Sequence, residues 1–171
     1  MLLILKPFAE MLKGFLFYLY RVMKTSLVCI LSLVLISAKA QKSNLHDNQY
    51  YWIYKGYTAV ENGKYKEAIT NYTKAIQVDS SFAEAFRYRA TAYCYLKSYN
   101  EALADFDRAV KLDPEDAASF NGRGAIYEEL DILNVAIKDF AKAVEILPHN
   151  KKYIENLEDA QDKQAARNKQ K

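Results

Sequence analysis

Residues 49–150 repeat one pattern of residue sizes every 34 positions, three times in succession and without an insertion or deletion. Because a period of roughly 20 to 50 residues marks stacked structural units, the sequence predicts a solenoid built from three copies of one unit. Six positions of the unit carry the pattern and hold, in the order of the copies, Trp52, Phe86 and Phe120; Gly56, Ala90 and Gly124; Ala68, Ala102 and Ala136; Tyr72, Phe106 and Phe140; Ala75, Ala109 and Ala143; and Ser80, Pro114 and Pro148.

Each unit contains two segments with helical spacing. In the first unit, the second segment places Ala68, Tyr72 and Ala75 at intervals of four and three residues, which is typical of an amphipathic helix and not of a strand. Gly63 predicts a left-handed stop between the two helices. Lys97 and Asp131 occupy the equivalent position in the other units, so we expect strain or a different turn there.

The period and the order of these residues resemble the tetratricopeptide repeat (TPR), a helix-turn-helix unit of 34 residues. The resemblance covers repeats 49–82, 83–116 and 117–150, and it implies an all-α, right-handed α-solenoid whose first helices line a concave groove. Residues 151–167 lack the repeated columns but keep one apolar edge, so we expect a C-terminal capping helix that covers the end of the solenoid, followed by a disordered tail at 168–171.

The resemblance also implies a binding surface, since proteins of this family usually hold a peptide or protein segment in the groove. Tyrosine suits such a surface because its side chain offers a large apolar face, a hydroxyl and few rotors. Some of the tyrosines can instead pack between repeats. The candidate peptide-binding residues, taken from groove positions of the family, are Tyr50, Tyr54, Tyr57, Arg87, Tyr88, Tyr95 and Asn121.

One specialisation of the family is not expected. Members that clamp the C-terminal carboxylate of chaperones use lysine, asparagine and arginine side chains at five groove positions. Those positions hold different residues here, namely Ile53, Tyr57, Tyr88, Ala118 and Gly122.

Two further columns combine charged and polar residues. Lys55, Arg89 and Arg123 share one repeat position, and Asn71, Asp105 and Asp139 share another. We expect a ladder of contacts between the two columns that supports the structure and does not contact a ligand.

The sequence contains no constellation that indicates an enzyme. His46 and His149 lie far apart in polar segments, and neighbouring acids such as Glu128 and Glu129 do not face each other on a helix. Cys94 has no base nearby in sequence and is expected to be a packed thiol. We therefore expect no catalytic residue, no metal site and no cofactor.

Charge is distributed unevenly along the chain. Five of the 24 basic residues and one of the 21 acidic residues lie in residues 1–40, so the remainder has one more acid than base. The basic pI of the sequence, about 8.7, is therefore due to the leader. It does not indicate a nucleic-acid partner, because a nucleic-acid footprint needs basic residues on the folded domain.

Residues 1–40 have the features of an export leader. After Met23, Lys24 precedes an uncharged run that ends at Ala38, and small residues at Ala38 and Ala40 stand at the −3 and −1 positions of a cleavage site after Ala40. Met23 is the favoured start of translation. We expect an exported protein, periplasmic or secreted if bacterial, with a polar linker at 41–48; the alternative is an uncleaved leader that anchors the protein in a membrane.

These patterns favour a non-enzymatic adaptor that binds another protein or peptide in a tyrosine-rich groove. The alternative is a membrane-anchored structural or assembly subunit of a cell-envelope complex, whose contact with the membrane is through the leader alone. The oligomeric state stays open.

Overall fold

The computed structural model describes residues 48–169, so the predictions for the leader, for most of the 41–48 linker and for the last two residues lie outside the described residues. Within that range the chain is all-α, and each helix packs on the next. No helix among these residues is long and apolar enough to span a bilayer. The seven helices are α1 (Gln49–Glu61), α2 (Tyr65–Val78), α3 (Ala83–Tyr95), α4 (Tyr99–Leu112), α5 (Ala117–Glu129), α6 (Leu133–Ile146) and α7 (Lys151–Lys169).

The helices pair as the 34-residue period predicts. Helices α1 and α2, α3 and α4, and α5 and α6 form three hairpins, which stack through contacts of α2 with α3 and of α4 with α5. This arrangement confirms the predicted α-solenoid of three helix-turn-helix repeats. Two first helices begin with a side-chain cap: Asn48 accepts a hydrogen bond from the Tyr50 backbone N–H at 2.9 Å, and Asp116 accepts one from Ala118 at 3.2 Å.

The three hairpin turns share one geometry. Gly63, Lys97 and Asp131 have φ angles of 70°, 56° and 59°, all in the left-handed region. In the second turn, the Lys97 N–H bonds the Cys94 carbonyl at 2.9 Å, and the third turn repeats the bond between Asp131 and Glu128 at 2.9 Å. The second and third turns therefore have the same shape as the first, although they lack glycine. The left-handed conformation of a residue with a Cβ is less favourable by roughly 1–2 kcal/mol, which is the strain that the sequence predicts.

The repeated columns form the core. Every alanine of the Ala68 and Ala75 columns is fully buried, and the rings of Tyr72, Phe106 and Phe140 are at most 2% exposed. Gly56 lies directly against the ring of Tyr72, where a Cβ would overlap the ring atoms. The small residues therefore let the first helix of a repeat rest on the aromatic residue of the second helix.

A ladder of arginines joins neighbouring repeats. Arg89 donates two hydrogen bonds of 2.7 Å to Asp105 in its own repeat, and its Nη1 donates to Thr73 in the preceding repeat at 2.9 Å. Arg123 repeats the arrangement with Asp139, at 2.7 Å for both bonds. The expected structural contacts are thus present in the second and third repeats.

Helix α7 covers the end of the third repeat. Ala160 is fully buried, and Leu157 packs beside Phe140. On the outer part of the helix, Arg167 pairs with Asp131 at 2.9 Å. The helix continues to Lys169, so the first two residues of the segment expected to be a disordered tail are helical.

Candidate functional site

The first helices of the repeats carry most of the exposed aromatic surface of the described residues. Four of the seven candidate residues are more than half exposed: Tyr50 at 59%, Tyr54 at 69%, Tyr57 at 53% and Tyr95 at 55%. The other three, Arg87, Tyr88 and Asn121, are partly buried. Exposed tyrosines at this density are unusual for a surface that contacts only water.

Tyr57, Arg87 and Tyr88 come together where α1 meets α3. The ring of Tyr88 stacks on buried Tyr72, with centroids 5.7 Å apart and planes inclined by 21°. The guanidinium of Arg87 lies 4.5 Å from the centroid of the Tyr88 ring. The negative charge of Glu61 and a hydrogen bond to that carboxylate raise the pKa of Tyr57, and the nearby Tyr88 adds to this effect.

Arg87 is held by acidic residues of the protein itself. Its Nε lies 2.9 Å from the carboxylate of Asp116, and its Nη2 lies 3.7 Å from Glu84. The buried Nε–H makes no hydrogen bond with any described residue, so the contact with Asp116 is a close ion pair with poor hydrogen-bond alignment. The positive charge that the sequence places in the groove is therefore already compensated.

Tyr50 and Tyr54 lie elsewhere on α1. The ring of Tyr50 makes an edge contact with Phe82, with centroids 5.2 Å apart. Tyr54 borders a separate hollow between α1 and α2, whose other side is formed by Lys64 and Glu67. This hollow is lined by residues of the first repeat alone, so it is separate from the contact between α1 and α3.

The remaining two candidates contact other helices. Tyr95 stacks on Tyr65 of α2, with centroids 4.6 Å apart and an angle of 11° between the planes. Asn121 accepts a hydrogen bond of 2.7 Å from Asn156 of α7. The structure thus brings three of the seven residues together and distributes the other four along the array.

A pocket of about 320 Å³ opens between α3 and α5, and the sequence-based candidates did not include its residues. The signal that could have revealed it is Gly122, which stands one period after Tyr88 and leaves that position without a side chain. Burial raises the pKa of the Cys94 thiol to about 11, so this cysteine is a neutral part of the wall at neutral pH. The residues that line the pocket are Thr91, Cys94, Tyr99, Phe106, Gly122, Ala125, Ile126 and Glu129.

The charges around the groove are mostly acidic. Glu128 is bound by Lys163 of α7 at 2.7 Å, whereas Glu61 and Glu129 form no ion pair with any described residue. No group of three or more histidine, cysteine or acidic side chains in residues 48–169 is arranged to hold a metal ion.

Helix pairs that repeat every 34 residues around an open groove define the chain as an α-solenoid of the protein-interaction type. A model of the family described as TPR repeat matches residues 56–94 and 90–131. A search of curated protein sequences found no significant match.

Solved TPR domains have the same architecture. The first TPR of Spaghetti (RPAP3), bound to the HSP90 peptide SRMEEVD, is 30% identical with a TM-score of 0.67, over 69% of this chain and 94% of that one. The first TPR domain of human RPAP3 is 29% identical in sequence and has a TM-score of 0.68. The match covers 72% of this chain and 98% of that domain. The second TPR domain of human RPAP3, in complex with the HSP70 peptide SGPTIEEVD, is 30% identical in sequence and has a TM-score of 0.61. This match covers 67% of this chain and 98% of that domain.

The chain belongs to the tetratricopeptide repeat family. Its repeats are accordingly a protein-interaction module and not an enzyme.

Proposed function

We propose that this protein is a non-enzymatic adaptor that holds a segment of another protein in the groove formed by α1, α3 and α5, with tyrosines as the main contact residues. The observation that carries the proposal is the exposure of Tyr50, Tyr54, Tyr57 and Tyr95, each more than half open to solvent on a first helix. An exposed tyrosine adds little to folding, yet it can bury a large area on binding at a small cost in side-chain entropy.

The related domains support a peptide ligand but not the same one. The Spaghetti and human RPAP3 domains are in complexes with the chaperone peptides SRMEEVD and SGPTIEEVD, which end in acidic residues. Ile53, Ala118 and Gly122 stand here at three of the positions where chaperone-tail receptors use cationic or amide side chains. We infer that the groove takes a segment of different chemistry.

The test is a selection of random displayed peptides on the immobilised full-length protein, followed by measurement of Kd for the enriched sequences. Replacing Tyr50, Tyr54 and Tyr57 together with alanine should weaken binding at least about tenfold, because tyrosine is enriched among the few interface residues that supply most of the binding energy. These three side chains are exposed, so the variant should keep its fold.

The matched control replaces Leu130, Ile132 and Leu147 with alanine. These side chains are 41%, 43% and 47% exposed, and none lies on a first helix. The control should bind as the wild type does. Equal binding by the tyrosine variant and the control would show that the groove assignment is wrong.

We also propose that the adaptor is exported after cleavage following Ala40. The support is the sequence alone: a basic residue at Lys24, an uncharged run to Ala38 and small residues before the cut. Intact-mass analysis of protein expressed in its native cell should find a chain that begins at Gln41. A mass that includes residues 23–40 would favour the alternative of a membrane-anchored assembly subunit.

A further inference from the structure

Gly122 of the third repeat stands at the position that Tyr88 occupies in the second, and it lines the pocket between α3 and α5. In the second repeat, Tyr88 packs its ring on Tyr72 and against the cluster that contains Ala59 and Ala92. One period later, Gly122 brings the backbone of α5 against Phe106, where an added Cβ would lie 2.5 Å from the ring. Gly122 therefore contributes no ring where Tyr88 contributes one, and the ring of Phe106 borders the pocket beside the α5 backbone.

The resulting pocket has the size and lining for one bulky apolar side chain. Its volume is about 320 Å³, and Cys94, Ala125 and Phe106 contribute thiol, methyl and ring surface. The pocket is open to solvent on the groove side, so a ligand residue can enter it without a movement of the backbone. An aromatic or large aliphatic side chain buried there would remove apolar surface from water on both partners.

Glu129 places a negative charge at the rim of this pocket. It is the charged residue of the pocket lining, and it forms no ion pair with any described residue. It is also the last residue of α5, where the helix dipole disfavours a negative charge. Helix stability therefore does not account for an acid at this position. Lys163 of α7 forms its ion pair with Glu128 and attracts Glu129 only at longer range, so the Glu129 carboxylate can still accept a close ion pair from a ligand.

The rest of the groove favours a cation as well. Glu61 likewise ends a helix, α1, without an ion pair among the described residues. Arg87, whose charge would repel a basic ligand, is compensated by Asp116 at 2.9 Å and by Glu84 at 3.7 Å. The charged groove residues that form no ion pair with a described residue, Glu61 and Glu129, are thus both negative.

We propose that the preferred ligand is a protein segment in which a bulky apolar side chain stands beside a lysine or arginine. The apolar side chain enters the pocket between α3 and α5, and the cation pairs with Glu129. This inference rests on the proposed peptide-binding function and specifies the chemistry of the ligand. It predicts a preference opposite in charge to the acidic chaperone peptides bound by the RPAP3 domains.

Four displayed libraries of random decapeptides test the proposal on the full-length protein. Their central dipeptides are fixed as Phe-Lys, Phe-Glu, Phe-Gln and Ser-Lys. The Phe-Lys library should be enriched at least about tenfold over the Phe-Glu and Ser-Lys libraries, and the margin over Phe-Glu should shrink with added salt because the contact is exposed.

Two substitutions address the two parts of the pocket. Ala125→Leu fills the pocket from an exposed helical position and should abolish the enrichment of all libraries that contain phenylalanine. Glu129→Gln should bring the Phe-Lys and Phe-Gln libraries to equal enrichment. The matched controls, Ala166→Leu and Glu158→Gln on exposed positions of α7, should leave every enrichment unchanged.

The outcomes separate this inference from the proposed function. Enrichment of Phe-Glu equal to or above Phe-Lys would overturn the inference and leave a peptide-binding groove in place. Retained selectivity in both Ala125→Leu and Glu129→Gln would also overturn it, since the ligand would then bind elsewhere. No enrichment from these or fully random libraries would overturn the proposed function itself.

Discussion

Arg89 and Asp105 form a two-point ion pair in which Nε and Nη2 donate to the two carboxylate oxygens, both at 2.7 Å. The hydrogen bonds to Asp105 raise the pKa of Arg89, and the carboxylate is only 6% exposed. Because Nη1 reaches Thr73 of the preceding repeat, a single side chain links two hairpins. Arg123 makes the same type of link, with Asp107 in the place of Thr73.

Arg89→Ala should lower the free energy of unfolding by roughly 2–4 kcal/mol, because it leaves the Asp105 carboxylate buried without its partner. Chemical denaturation measures the change. Arg108→Ala, which removes an exposed arginine from α4, is the control and should cost less than about 1 kcal/mol. A variant at Arg89 with unchanged stability but lost peptide binding would show that the ladder serves the ligand and not the fold.

Lys97→Gly should stabilise the protein by roughly 0.5–1 kcal/mol, since Lys97 has a φ of 56° and glycine adopts this conformation without steric strain. Thermal unfolding should show a rise of a few degrees in Tm. Lys97→Ala keeps a Cβ in the left-handed conformation and should show no such gain. Equal gains from both substitutions would mean that the lysine side chain, and not the backbone, is the source of the strain.

Gly56→Ala should destabilise the first repeat by about 1–3 kcal/mol, because the new Cβ would overlap the ring of Tyr72, which is 2% exposed and closely packed. At an unhindered helical position the same substitution would stabilise by up to about 1 kcal/mol. The sign of the change in a denaturation experiment therefore reports the contact directly. Stabilisation by Gly56→Ala would contradict the close approach of α1 to Tyr72.

Cys94 should react slowly with iodoacetamide in the folded protein. Burial raises the pKa of its thiol from 9.0 to about 11, so at pH 8 the thiolate fraction is lower by about a hundredfold than for an ordinary cysteine. Peptide mapping by mass spectrometry isolates this residue from Cys29, and urea-unfolded protein provides the reference rate. Rapid alkylation in the folded state would show that the thiol is neither buried nor neutral.

The same thiol makes stability depend on pH in the alkaline range. Below about pH 9 the proton is bound in both the folded and the unfolded chain, and the contribution of Cys94 is complete. As the pH rises towards 11, the unfolded chain releases this proton while the folded protein keeps it, so the contribution is lost. Cys94→Ala should remove this part of the pH dependence in denaturation curves.

Much of the fold could be predicted from the sequence because its determining contacts occur at fixed separations along the chain. Tyr72 and Gly56 stand 16 residues apart, as do Arg89 and Asp105, and each pair meets within one hairpin. A period of 34 residues then repeats these contacts. The left-handed turns at Lys97 and Asp131 follow from the same rule, because the hairpin imposes its geometry on whichever residue occupies the position.

The candidate site could be predicted only in part. The groove positions of the repeat family indicate side chains that do lie on the first helices, and four of the tyrosines at these positions are exposed. They did not indicate that Arg87 is compensated by Asp116, nor that Tyr95 stacks on Tyr65. These contacts are made by side chains whose reach and rotamer no periodic pattern specifies.

By itself, the sequence determined the repeat, the helices, the turns and the arginine ladder, since each depends on residue type at a constant spacing. Only the tertiary structure decided which groove charges remain uncompensated and where the groove is hollow. Lys163 of α7 pairs with Glu128 and attracts Glu129 only at longer range, and the pocket is bordered by Gly122 where the preceding repeat has the ring of Tyr88. Such properties depend on how α3 and α4 of the second repeat meet α5 of the third, so they are determined by packing in space and not by position along the chain.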